Sequence, residues 1–272
     1  MNRAALGSAA LGVVALGFAL LSGCTAEADP KTPEEQVADA VDNFASDNTG
    51  AYSLANGLSE GGTEELGFYR VTPDANATKR TFVGADGTSV VRYLRIGRSL
   101  WAELPGNETG DVRTGSCWVH GTNISVARVG ALTFGNVPLS TPAVEVVLGL
   151  RKGRLEDGVL VADANLRTVA TALGYPAVRR LGLTKGRVDV PVTVSVDDAR
   201  ITSWEASLGD IIELAPDGEA FELSAADAEA TIVATFGEPG RDLDLTPPAD
   251  DVVTEASAGQ EGIDALPETC DV

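Results

Sequence analysis

The chain has 272 residues, of which 44% are apolar, enough for a sizeable core and too many for a disordered chain. Its 20 basic residues stand against 40 acidic ones, for a net charge of −20. That balance excludes nucleic acid as a partner and a polybasic membrane patch, because both need a basic face.

The first segment is the most telling. Met1-Asn2-Arg3 is a short positive start, Ala4 to Leu21 is apolar apart from Gly and Ser, and Ser22-Gly23 precede Cys24. This is the layout of an export signal ending in small residues. Leu21-Ser22-Gly23-Cys24 resembles the bacterial lipobox. The resemblance implies that residues 1–23 are a lipoprotein signal peptide. It also implies that Cys24 carries a diacylglyceryl thioether, palmitate being the expected acyl chain, and becomes the first residue of the anchored protein. An uncleaved membrane anchor is the alternative, although the apolar run is shorter than the roughly 20 residues that span a bilayer. Both readings place the protein at the extracytoplasmic face of the cell membrane. Outside the cytoplasm the two remaining cysteines, Cys117 and Cys270, are expected to form a disulfide, two buried thiols being the alternative.

Residues 24–33 are polar with two prolines and read as a flexible tether. A helix is expected from Thr32, with Thr32 as cap, Pro33 first and Glu35 third, and with Val37, Ala40, Val41 and Phe44 on one face. From Ala51 the period drops to two, and short strand-like runs follow, with hairpin turns at Asp86-Gly87 and Gly97. Residues 105–140 are irregular. Residues 140–153 read as a second helix, with Thr141 as cap and Arg151 and Lys152 in its last turn. Residues 158–166 read as a strand and 166–174 as a short helix closed by Gly174.

The last third alternates most cleanly. Val188, Val190, Val192, Val194 and Val196 share one face, and Asp197-Asp198 turns the chain into a returning strand with Ile201, Trp204 and Leu208. Pro191 marks an edge position or a bulge. Ile232, Ala234 and Phe236 mark another strand. The segment after Pro247-Pro248 is acidic, carries no basic residue and reads as an extended tail over residues 249–272. The expected fold is α+β: one strongly curved antiparallel sheet, a half-barrel, with helices on its concave face, spanning residues 34–248.

Catalytic chemistry is not visible. The one histidine, His120, would have to serve any Ser-His-Asp triad, and Cys117 near it is a poor thiolate if disulfide-bonded. No metal-ligand spacing stands out, and no catalytic residue, metal or cofactor is expected.

The lipobox, residues 90–104 ("VVRYLRIGRSLWAEL"), residues 190–208 ("VPVTVSVDDARITSWEASL") and the exit "DLDLTPPADDV" together resemble the actinobacterial envelope lipoproteins of the LppX/LprAFG type. Those proteins are similar in fold to the lipoprotein carriers LolA and LolB. The resemblance implies a non-enzymatic lipoprotein that binds a lipid or glycolipid in a hydrophobic cavity. It would transport or present that ligand in the cell envelope, with a membrane transporter as a further partner. The expected lining is Leu94, Ile96 and Leu100 from the first strands and Val144, Val147 and Leu148 from the second helix. Val190, Val192, Val194, Trp204, Leu208, Ile232 and Phe236 from the last strands complete it. Each of these residues also reads as ordinary core. The rival function is a protein–protein interaction or sensing module anchored at the cell surface.

Overall fold

A computed structural model describes residues 30–59, 61–84, 87–103, 117–122, 141–183, 187–221, 224, 227, 229–243 and 245–266. Helix α1 spans Pro33–Asp47 and starts as its sequence dictates. The Thr32 hydroxyl accepts from the Glu35 N–H at 3.3 Å, and the Glu35 carboxylate accepts from the Thr32 N–H at 2.8 Å. This capping box satisfies two orphan donors. Val37, Ala40 and Phe44 are buried, and Asn48 ends the helix in the left-handed region.

The strands are β1 Thr49–Ala55, β2 Gly62–Arg70, β3 Ala75–Gly84, β4 Gly87–Ile96, β5 Ser99–Glu103 and β6 Trp118–Gly121, then β7 Arg151–Glu156, β8 Val159–Asn165, β9 Asp189–Asp197, β10 Arg200–Ser207, β11 Thr231–Gly237 and β12 Val253–Glu255. They form one sheet in the order β12-β6-β5-β4-β3-β2-β1-β11-β10-β9-β8-β7. Every pairing is antiparallel except β12 with β6. The short helices are α2 Pro142–Leu148, α3 Leu166–Ala170, α4 Tyr175–Arg180, α5 Leu208–Leu214 and α6 Gly259–Asp264.

The fold is therefore α+β around a large, mostly antiparallel sheet, as expected. The expected half-barrel is corrected: the sheet is open, and it is curled weakly at most. Strong curvature in a sheet needs bulges or glycine kinks at defined positions. Register is unbroken from β1 through β6, and shifts occur only between Ile201 and Ser203 and between Arg151 and Arg154. The ladders joining β1 to β6 therefore carry no bulge.

Partners across a ladder share a face, so register assigns every side chain. One row on what is here called the inner face reads Val194, Trp204, Ala234, Leu54, Glu65, Arg80. Its first four residues are apolar and its last two are a buried ion pair. Over the apolar half lie α1, packed on β7 and β10, and α2, packed on β1 and β8. One cluster joins these helices to β1, to Tyr69 of β2 and to β8–β11.

Three local expectations are revised. The second helix stops at Leu148, and Arg151 and Lys152 belong to β7 instead. Asp157-Gly158, with φ of 50° and 82°, turns β7 into β8 as a hairpin. Pairing with β8, together with ion pairs from Arg151 to Asp189 and from Lys152 and Arg154 to Asp163, outweighs helix propensity there. Leu208 opens α5 rather than ending β10, because Ser207 caps a helix by accepting from the Asp210 N–H at 3.4 Å. The acidic tail, finally, does not stay off the sheet: β12 rejoins it at its edge and α6 packs on β12.

Pro191 sits opposite Asp163 of β8, while pairing with β10 begins only at Thr193. At that point β9 has one ladder neighbour, which is the edge condition proline requires.

Candidate functional site

After β11 the chain turns at Glu238, whose φ is 52°. It is then pinned to the start of β1: the Gly240 N–H donates to the Thr49 carbonyl at 2.9 Å, and the Thr49 hydroxyl donates to the Arg241 carbonyl at 2.6 Å. The Arg241 guanidinium lies 4.6 Å from the Phe68 ring centroid and pairs with Glu238. From there the chain crosses the outer face of the sheet and re-enters it at β12, beside β6. Residues 238–243 and 245–252 thus belong to a strap held at both ends.

The distal end is held by a parallel ladder, with Val253 opposite Trp118, Thr254 opposite Val119 and Glu255 opposite His120. His120 Nδ1 lies 2.7 Å from Glu255 Oε1, and the His120 ring stacks on Trp101 at 4.5 Å. The sole histidine therefore helps secure the strap.

Between strap and sheet lies an open groove of about 770 Å³. Leu66, Phe68, Ala77 and Leu94 form its floor, Trp118 a wall, and Leu245, Thr246, Pro247 and Pro248 the roof. The floor residues alternate along β2–β4 with inner-face residues. Leu66 remains 48% exposed, an apolar side chain left open inside the groove. Proline suits the roof because an extended crossing needs no ladder donors. Lys79 and Arg92 also line it and face each other across β3 and β4.

The structure distributes the expected lining differently. Leu94 faces this groove. Ile96 lies on the same outer face but is not part of the lining, and Leu100 lies opposite Arg95 on the inner face, fully buried. Val144, Val147, Val190, Val192, Val194, Trp204, Leu208 and Ile232 are brought together in the packed cluster, with Phe236 at its margin. Trp204 fills the centre and donates its indole N–H to the Ala143 carbonyl at 2.9 Å. Leu148 is exposed on α2. Leu66, Phe68, Ala77, Lys79 and Arg92 are not expected in the lining from the sequence, where Pro247-Pro248 read only as the exit from the sheet. The available signal was a set of apolar residues on the face of β2 opposite Glu65 and Tyr69.

The inner face of β1–β4 carries a polar network instead of a cavity lining. Arg80 Nε lies 3.2 Å from Glu65 Oε1, both side chains buried. The Tyr52 hydroxyl lies 2.7 Å from the Thr78 hydroxyl, and Asn76 donates to Thr78 at 2.8 Å. Arg95 donates to Asn76 at 2.9 Å and to Asp74 at 2.7 Å. Burial pushes the Glu65 carboxyl above its ordinary range against the pull of Arg80, and burial likewise pushes the Tyr52 and Tyr93 phenols up.

Cys117 is buried and disulfide-bonded. Cys24 and Cys270 lie outside the described residues. Among the described residues no His/Cys/Asp/Glu group is arranged to hold a metal, and no helix is long and apolar enough to cross a membrane. No protein-family model matches the chain, and no curated protein matches its sequence.

Proposed function

We propose that this chain is a non-enzymatic lipoprotein, anchored through acylated Cys24 at the extracytoplasmic face of the membrane. It holds the apolar part of a lipid or glycolipid for transport or presentation in the envelope, as the LppX/LprAFG resemblance implies. The observation that carries the reading is the groove beneath the strap. Its volume of about 770 Å³ falls within the roughly 300–1,000 Å³ of small-molecule sites. Its floor carries Leu66, Phe68, Ala77 and Leu94, and Lys79, Arg92 and Glu238 bring charged groups to the lining. We assign the ligand to this groove and not to the helix-covered core, because Trp204 and the aliphatic cluster around it fill that core. A Cys117–Cys270 bond fits this scheme, since it would fasten the end of the tail beside β6 and keep the strap docked.

The test uses the chain from Thr25 onward, which keeps the whole compact unit Lys31–Val272. It is purified without detergent and examined by native mass spectrometry before and after solvent extraction. A lipid-range adduct is expected, lost on extraction and absent from Ala77→Trp, which fills the groove floor. A clean apo mass that stays unchanged after incubation with envelope lipids overturns the reading and favours the protein-interaction module.

A further inference from the structure

One row of the outer face reads Ser53, Leu66, Lys79, Arg92 from β1 to β4, and the ion pair of Arg92 with Glu103 and the pairing of Glu103 with Trp118 carry it on to β5 and β6. Lys79 and Arg92 are direct cross-strand partners. Like charges so placed have Cβ atoms about 5 Å apart and repel each other, which destabilises the pair unless an anion lies between or beside them. Glu103 supplies one such anion, 2.9 Å from Arg92. The groove's own acid, Glu238, pairs with Arg241. Lys79 makes no hydrogen bond or ion pair among the described residues, although the chain carries 40 acidic residues against 20 basic ones. The groove thus joins an apolar floor to one uncompensated positive charge.

We propose that the occupant of the groove is a single-chain monoanion, a long-chain fatty acid. Its chain lies on Leu66, Phe68 and Leu94 beneath the strap, and its carboxylate is taken by Lys79, with Arg92 beside it. The inference rests on the proposed groove and names its ligand class. Charge balance selects the class. Among the described residues one cation of the groove, Lys79, has no partner and matches one negative charge, since Arg92 and Glu238 already have partners, so a dianionic phosphate monoester would be left over-charged. A neutral glyceride would leave Lys79 unmatched. Lys79 and Arg92 are exposed at the groove, and a charge-assisted hydrogen bond contributes more than a neutral one, so the carboxylate sets orientation as well as affinity.

The probes are cis-parinaric acid and its methyl ester, which share one fluorescent chain and differ in charge. Both are titrated into the chain from Thr25 and into its Lys79→Gln and Lys79→Arg variants. The acid is expected to bind about tenfold or more tightly than the ester. Lys79→Gln is expected to abolish that preference, and Lys79→Arg to retain it. Raising the salt concentration is expected to weaken acid binding alone. Equal binding of acid and ester, or a preference that survives Lys79→Gln, overturns the fatty-acid inference and leaves the groove reading standing. Absence of binding by both probes, with no lipid adduct in the mass spectrum, overturns both.

Discussion

Trp204 on β10 donates its indole N–H to the carbonyl oxygen of Ala143, in the first turn of α2, at 2.9 Å. A single side chain thereby joins the central sheet to the helix that roofs it, in a site from which water is excluded. Trp204→Phe keeps most of the volume but removes the donor and opens a small void. It is expected to cost about 2–3 kcal/mol, measured by urea unfolding with an unchanged slope. Ligand binding in the groove on the other face is expected to remain, because Trp204 does not line it.

Glu65 and Arg80 are expected to behave as a unit. Removing one partner leaves a buried charge, so Glu65→Ala should destabilise by about 3–5 kcal/mol. The double change Glu65→Leu with Arg80→Met removes both charges and should return close to the original stability. A double-mutant cycle in urea reads the coupling, and strictly additive losses would contradict it.

Asp163 governs part of the acid response. Burial pushes its carboxyl up, but hydrogen bonds from Lys152 and Arg154 outweigh that and hold it below its ordinary 3.8. A carboxyl lowered by folding contributes stability that is fully present above its unfolded pKa, about 3.9, and is lost as pH falls through the lowered value. Asp163→Asn should therefore be less stable at neutral pH and show a shallower loss of stability below about pH 4. Thermal melts across that range test it.

Gly153 marks where α1 meets β7. A Cβ there would lie 2.3 Å from the Pro33 carbonyl oxygen and 2.7 Å from Val37 Cγ2. Gly153→Ala must push the start of α1 away from the sheet and is expected to cost about 1–3 kcal/mol. The loss should appear together with faster amide exchange in the first turn of α1.

Glu255→Gln weakens the bond from His120 that helps dock β12. The pair is partly exposed, and such pairs contribute about 0.2–1 kcal/mol. Amide exchange at residues 253–255 should rise a few-fold while β8–β11 are unaffected, because docking of the strap is separate from the main core. Equal acceleration in both regions would show that the strap does not move independently.

Local signals sufficed for much of this fold. Thr32, Pro33 and Glu35 state the start of α1. The valine alternation states β9. Asp198-Ala199, both at positive φ, turn β9 into β10 next to the Asp197-Asp198 pair that marked the bend. Asp157-Gly158 carried an equally good hairpin signal, but residues 140–153 also fit a helix. Only pairing with β8 decides between the two readings, since short segments owe their state to neighbours more than to propensity. Whether apolar residues form a cavity or a filled core is likewise not local. Leu94 and Leu100 look alike in sequence, yet register places them on opposite faces. Composition, the absence of a nucleophile motif and the Cys24 segment follow from the chain read one residue at a time. The groove does not. It exists because a strap from beyond β11 crosses six strands to pair with β6, a contact between residues far apart in the chain that no periodicity records.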